Sequence, residues 1–432
     1  MNTLRRLRNF WIAAVATIVL GSCSNVFAQQ RYKIMDLGIN NSKDNFNMAM
    51  GLNSQGWAEN MDGFVNPPET STSTTVARGR AVISIYGFNI DLGTLGKPGA
   101  NSWINWGGIN DLGQAVGMSE TAAADPNGED IGGFGTHLTC VPFLWRDGHM
   151  SGLPTLGGNN GQASAINNRG EVVGFAENGV LDSTCPAGLT NNRVALAALW
   201  AGGNAEALPL ADKDVDGEAF GINDRGEAVG YSGTCTSASH AMIWKDHTGT
   251  VLQNLGSKGG DVAYVINNKG QIAGQVGAPD DSTFYAAAWL DGADGKATKI
   301  DLLPGDFAGF ATGINNRGQV VGNDFDSNFD WFHGFLWQDG VTTDLNTLIP
   351  DDSNLLIISA SNINDRGQIS GMATVQTGPH AGEVHSYLLT PVDGRIDASM
   401  ADFARTHPQS VVLPSYACNH SLQKVGPGRF QR

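Results

Sequence analysis

The chain has 432 residues, a formal net charge of -16, only 16% charged residues and 57 glycines. An acidic surface of this kind repels phosphate backbones, which excludes nucleic acid as a partner. Length alone suggests about three domains at roughly 150 residues each, but that prior fails where repeated units extend one core.

The N-terminus reads as a targeting segment. Arg5, Arg6 and Arg8 precede an apolar run from Phe10 to Gly21 that is short for a bilayer span, so residues 1-28 form a predicted signal peptide. Cleavage after Val26-Phe27-Ala28 removes three arginines and no acid, leaving a mature charge of -19. A second reading competes with this one. Leu20 to Cys23 (LGSC) has the form of a lipobox, which predicts cleavage before Cys23 and a lipid there as the one link to a membrane. The protein is thus expected to be secreted or periplasmic, or else a membrane-anchored lipoprotein. No later stretch is apolar enough for a membrane helix.

From Tyr32 onward the chain is built of copies. It opens with YKIMDLG at Tyr32, a strand with a DLG turn. Then an apolar residue, Asn, two polar residues, Gly, a polar residue, two small apolar residues and Gly recur. This pattern centres on Asn53, Asn110, Asn167, Asn223, Asn267, Asn315 and Asn364, at spacings of 57, 57, 56, 44, 48 and 49 residues. Asn-Asn-Arg-Gly and Asn-Asp-Arg-Gly provide the side-chain hydrogen bonds and the positive-φ residue that a tight hairpin needs. A second apolar run follows each copy and ends at Trp145, Trp200, Trp244, Trp289 and Trp337, with Ser84 and Leu389 in the first and last. DLG-like turns come third. Each repeat therefore predicts four short strands.

A lone four-stranded sheet cannot cover both of its faces, so the units must stack. The expected fold is all-β, a seven-bladed β-propeller of four-stranded blades over residues 31-394, with a tail at 395-432. The last repeat ends at HSYLLTP from His385 without a fourth strand, and the chain begins with one. The N-terminal strand is therefore expected to close the ring and remove the open edge.

Four cysteines remain beyond Cys23: Cys140, Cys185, Cys235 and Cys418. An even number in an exported chain predicts disulfides, and no pair has the C-x-x-C spacing of a zinc site. Cys140, Cys185 and Cys235 all fall between second and third strands of successive repeats. Bridging of neighbours predicts Cys140 with Cys185, leaving Cys235 for Cys418.

The connections between second and third strands differ most from copy to copy, and their face is the expected binding surface. Asp212, Asp214 and Asp216 have the alternation of a calcium loop, although Asn223 stands where the closing Glu belongs. Asp324, Asp326, Asn328 and Asp330 repeat the alternation with Phe329 in the glycine position, and Trp331 beside them could stack on a sugar ring. Calcium is the one cofactor these loops suggest. The alternative for both is a solvated polar loop.

The pattern IN-x-x-G-x-V-V-G, followed by H-A-F-like letters, Trp and Asp-Gly, resembles the extracellular HAF repeat family of bacterial exported proteins. The H-A-F letters are met at His240-Ala241-Met242, His333-Gly334-Phe335 and His385-Ser386-Tyr387, and are degenerate elsewhere. The resemblance implies export and repeat architecture and carries no catalytic residue. With no G-x-S-x-G or H-E-x-x-H signature, the chain reads as a monomeric, non-enzymatic binding or adhesion propeller for a glycan or protein surface. The alternatives are a propeller hydrolase or lyase acting on extracellular polysaccharide, and a structural component of the cell envelope.

Overall fold

The computed structural model describes residues 32–40, 44–65, 76–185, 192–235, 237–327 and 332–392. The expected signal peptide, Cys23, the tail, Cys418, Asp330 and Trp331 lie outside the described residues.

Strand is the dominant regular structure of the described residues, interrupted only by two short 3-10 turns at Gly292–Asp294 and Leu345–Leu348. After β1 (Tyr32–Gly38) come β2 (Phe46–Leu52), β3 (Trp57–Val65), β4 (Val76–Ile85) and β5 (Phe88–Asp91). Four-stranded sheets follow: β6 (Ser102–Ile109), β7 (Ala115–Ala124), β8 (Leu138–Arg146) and β9 (His149–Gly152), then β10 (Gly161–Ile166), β11 (Val172–Leu181), β12 (Arg193–Ala201) and β13 (Asn204–Ala207). The next are β14 (Asp216–Ile222), β15 (Ala228–Thr234), β16 (Ser237–Lys245) and β17 (Thr248–Val251), and β18 (Val262–Ile266), β19 (Ile272–Gly277), β20 (Phe284–Trp289) and β21 (Thr298–Lys299). Last come β22 (Ala308–Ile314), β23 (Val320–Phe325), β24 (Phe332–Gln338) and β25 (Val341–Asp344), and β26 (Leu355–Ile363), β27 (Ile369–Val375) and β28 (Val384–Pro391). Within each sheet the strands pair antiparallel in chain order, as consecutive hairpins require.

The two ends of this series meet. β1 pairs antiparallel with β28, from Tyr32 opposite Pro391 to Gly38 opposite Ser386. A single parallel bridge between Phe46 and Val384 joins β2 to the same strand. Tyr32 and Leu37 are buried in this junction.

Two residue types make the copies superimposable. The glycine that ends each VVG-like run lets the second strand press on the first: a Cβ at Gly174 would stand 1.9 Å from the Gln162 carbonyl oxygen. The tryptophans fasten each sheet to the connection before it. The indole Nε1 groups of Trp200, Trp244 and Trp289 donate to the carbonyls of Pro154, Pro209 and Gln253, each at 2.7 Å. Their rings are buried, so one residue supplies both apolar area and a satisfied donor.

The repeated asparagines do more than make turns. Each side chain accepts from two backbone N–H groups of its own turn and donates to the backbone carbonyl of the next repeated asparagine. Asn53 donates to Asn110, Asn110 to Asn167, Asn167 to Asn223, Asn223 to Asn267, Asn267 to Asn315 and Asn315 to Asn364, at 2.8 to 3.1 Å. Asn364 then donates to the Asn53 carbonyl at 3.0 Å, so the series is cyclic. Asn315→Ala removes its acceptor for Arg317 and Gln319 N–H together with both of its donated bonds, in a buried site. The expected loss is about 3 kcal/mol or more by chemical denaturation, and a loss under about 1 kcal/mol would show the turns to be independent of the cycle.

The disulfide differs from expectation. Cys185 is bonded to Cys235, joining the third and fourth repeats, and Cys140 is buried beside Phe134, outside that bridge. The β7–β8 connection does reach the next repeat, but through other groups: Asn160 Oδ1 accepts the Cys140 backbone N–H, Asn160 Nδ2 donates to Asp125 Oδ2, and the Arg193 N–H donates to Glu129 Oε1.

Candidate functional site

The predicted acidic loops are used within the fold. Asp212 is exposed, whereas Asp214 Oδ2 accepts from Ser232 Oγ at 2.5 Å and pairs with His240 Nδ1 at 2.8 Å. Asp216 is buried on β14, and its Oδ1 accepts the Ala195 N–H at 2.9 Å. These three carboxylates turn to different partners. In the second cluster Asp324 is buried on β23, its Oδ2 accepting from Leu303 N–H at 2.8 Å, and burial pushes its carboxyl up to about 7. Asp326 is half-buried beyond the strand end. The histidines of the H-A-F positions each hold an aspartate: His240 with Asp214 and His333 with Asp306 of connecting segments, and His385 with Asp36 of β1. They are clasps between a third strand and the segment packed on it, a role the sequence did not reveal.

A different set of polar groups converges. Strands β6, β10, β14 and β18 are the first strands of four successive sheets and pack side by side. Across them Asn105 Nδ2 donates to Ser164 Oγ at 3.2 Å, and Ser164 Oγ donates to Glu218 Oε1 at 2.8 Å. Three repeats thus contribute one residue each to a single chain of hydrogen bonds. Asn105 and Ser164 are buried, while Glu218 keeps partial exposure.

Aromatic groups surround this carboxyl. Tyr231 lies directly opposite Glu218 in the β14–β15 ladder, and Phe220 stacks on Tyr231 at 5.9 Å and meets Tyr264 at 5.2 Å. Burial among them pushes the Glu218 carboxyl up to about 8, against the opposing effect of the Ser164 hydrogen bond. Burial and the Glu218 charge also raise both tyrosines. Asp216 stands two residues before Glu218 on the same side of β14, and its charge is felt by Tyr231 as well. One predicted residue, Asp216, is therefore brought to this site, although by a route unrelated to calcium. A carboxyl that is neutral at pH 7, held by an oriented hydroxyl and partly open to solvent, can donate a proton to a bound oxygen and take one back.

No family model matches the chain, and no curated protein does. Similar solved structures include a gluconolactonase from Xanthomonas campestris, at 13% identity over 85% of this chain and 93% of that one, with a TM-score of 0.37. A puromycin hydrolase is similar at 11% identity over 79% of this chain and 53% of the other, TM-score 0.42. A protein of unknown function from Dyadobacter fermentans is similar at 11% identity over 84% and 99%, TM-score 0.38. The expectation of a non-enzymatic binding or adhesion propeller is not carried further; two of these similar structures are named as enzymes, a gluconolactonase and a puromycin hydrolase.

Proposed function

We propose that this chain is an exported, seven-bladed β-propeller of the HAF-repeat type that acts as a hydrolase on extracellular polysaccharide. The cyclic asparagine series and the β1–β28 pairing support a closed ring of seven blades. The Cys185–Cys235 bridge supports an oxidising compartment. The hydrolase reading rests on one observation: the Glu218 carboxyl, raised to about 8, at the end of the Asn105–Ser164 hydrogen-bond chain.

In this reading Glu218 protonates the leaving oxygen and then, as carboxylate, takes a proton from the attacking water. Ser164 holds one oxygen of the carboxyl in place, and Asn105 fixes Ser164. Half-buried Tyr231, backed by the buried Phe220 ring stacked on it, presents the aromatic face on which a sugar ring packs. A panel of polysaccharides, glycosides and lactones assayed with the mature protein tests this. Turnover is expected to fall as pH rises through about 8 and the acid is lost, and Glu218→Gln is expected to lower it by about a hundredfold or more, with a melting temperature little changed at pH 5 and raised at pH 8. Turnover untouched by Glu218→Gln would remove Glu218 from the chemistry. No turnover on any member of the panel would remove the reading itself.

A further inference from the structure

The Cys185–Cys235 bridge lies against a carboxylate. Asp182 is buried, with 5% of its surface exposed, and its Oδ1 is satisfied by the N–H and Oγ1 of Thr184 at 2.8 and 2.6 Å. Its other oxygen, Oδ2, is aimed at Cys185 Sγ, 2.9 Å away. A disulfide sulfur carries no proton, so among the described residues no hydrogen-bond donor is recorded for Oδ2 while the bridge is intact. A buried carboxylate oxygen turned towards a group that cannot donate is unfavourable, and its orientation makes sense only for another state of the sulfurs. On the far side Asn192 Nδ2 lies 3.6 Å from the same sulfur, a donor suited to a thiolate.

The ligand atoms of Asp182, Cys185 and Cys235 all lie within 4.8 Å of one another, and they come from two adjacent sheets whose strands β11 and β15 hold them in place. We propose that these three residues are a redox-gated site for a thiophilic divalent cation of the zinc type: a covalent staple when oxidised, a three-ligand site with one open position when reduced. Two thiolates and one carboxylate suit such a cation, whereas calcium and magnesium require oxygen donors throughout. The spacing of the cysteines in sequence hides the site, because its two sulfurs are 50 residues apart and join only through the stacking of repeats.

The chemistry balances with an external reductant. A phosphine breaks the S–S bond and is oxidised to its oxide with oxygen from water, leaving two thiols. Cation binding then releases both thiol protons to solvent, and Asp182 supplies the third bond.

The test is titration of the mature protein with cobalt(II) alone, in oxidised form and after phosphine reduction, followed by the thiolate-to-cobalt charge-transfer band. The reduced protein is expected to take one cobalt per chain and the oxidised protein none. Cys235→Ser is expected to abolish the band, and Asp182→Asn to weaken binding by about tenfold or more. Near-ultraviolet circular dichroism is expected to keep its native form on reduction, since the tryptophan core does not depend on the bridge. Equal binding by oxidised protein, unchanged affinity in Asp182→Asn, or collapse of the aromatic signal on reduction would each overturn the proposal.

Discussion

Melting the mature protein at pH 5 and at pH 8 is expected to give the higher temperature at pH 5, by about 10 °C. The cause is a set of carboxyls for which burial outweighs every favourable neighbour. Burial pushes Asp62 and Asp324 up to about 7 and Glu218 up to about 8, and it raises Glu59 well above its ordinary value. Each of these groups keeps its proton in the folded chain and loses it near pH 4 in the unfolded chain. The stability they allow is therefore fully present below about pH 4 and is lost as pH rises towards the folded values. Asp62, Glu218 and Asp324 together remove on the order of 4 kcal/mol per pH unit between roughly pH 5 and 7. Asp36 and Glu227, which are lowered, act in the opposite sense but only as pH falls through the ordinary carboxylate range, so they do not offset the loss.

Glu59 identifies the mechanism. Both of its carboxyl oxygens are buried and lack a hydrogen bond among the described residues, and the side chain lies over Gly51 and Gly108. Val116, Val173, Val229 and Val321 hold the same place in other sheets, each one residue before the glycine of the second strand. Glu59→Val is accordingly expected to raise the melting temperature more at pH 8 than at pH 5. A profile that is flat, or that climbs from pH 5 to 8, would mean that these carboxyls find counter-charges on folding.

The repeat was legible because its signals are local and occur once per copy. Asn-x-x-Gly specifies a turn within five residues, and the same asparagine later proves to link neighbouring copies, so one letter serves two scales. The pairing of β1 with β28 was legible from phase, since a strand missing at one end was present at the other. The disulfide was not. Which side chains meet depends on how each connection folds back: the β7–β8 connection meets the next repeat through Asp125, Glu129 and the Cys140 backbone, while the Cys185 sulfur meets Cys235. Glu218 was missed for a related reason: in GEAFG its alternation reads as a solvent-facing strand position, and nothing nearby announces Ser164 from the preceding repeat. Comparison across copies carries the signal. Five residues before the repeated asparagine stand Met48, Asn105, Gln162, Glu218, Val262, Phe310 and Ser359, and only one of these seven is ionisable.

Removal of Tyr32–Gly38 is expected to leave a chain that is largely unfolded, and returning the same seven residues at the other terminus is expected to restore it. The strand buries Tyr32 and Leu37, each worth about 1.5–3 kcal/mol, and its ladder with β28 adds about 1 kcal/mol per bond. Their sum is comparable with the roughly 5–15 kcal/mol that holds a domain together. Without β1, moreover, β28 presents an unpaired edge and the Asp36–His385 clasp is gone. The register shows how to repair this. Tyr32 stands opposite Pro391, so a hairpin turn after β28 would lead straight into β1. The sequence already has one in Val392-Asp393-Gly394, the same x-Asp-Gly form that follows Trp337. A permuted chain that starts at Ile39 and ends with Tyr32–Gly38 after Gly394 should therefore melt within a few degrees of the parent, whereas the simple truncation should show no cooperative transition. If the permuted chain is as unstable as the truncated one, the strand is needed for something other than completing the last sheet, and closure of the ring by β1 is wrong.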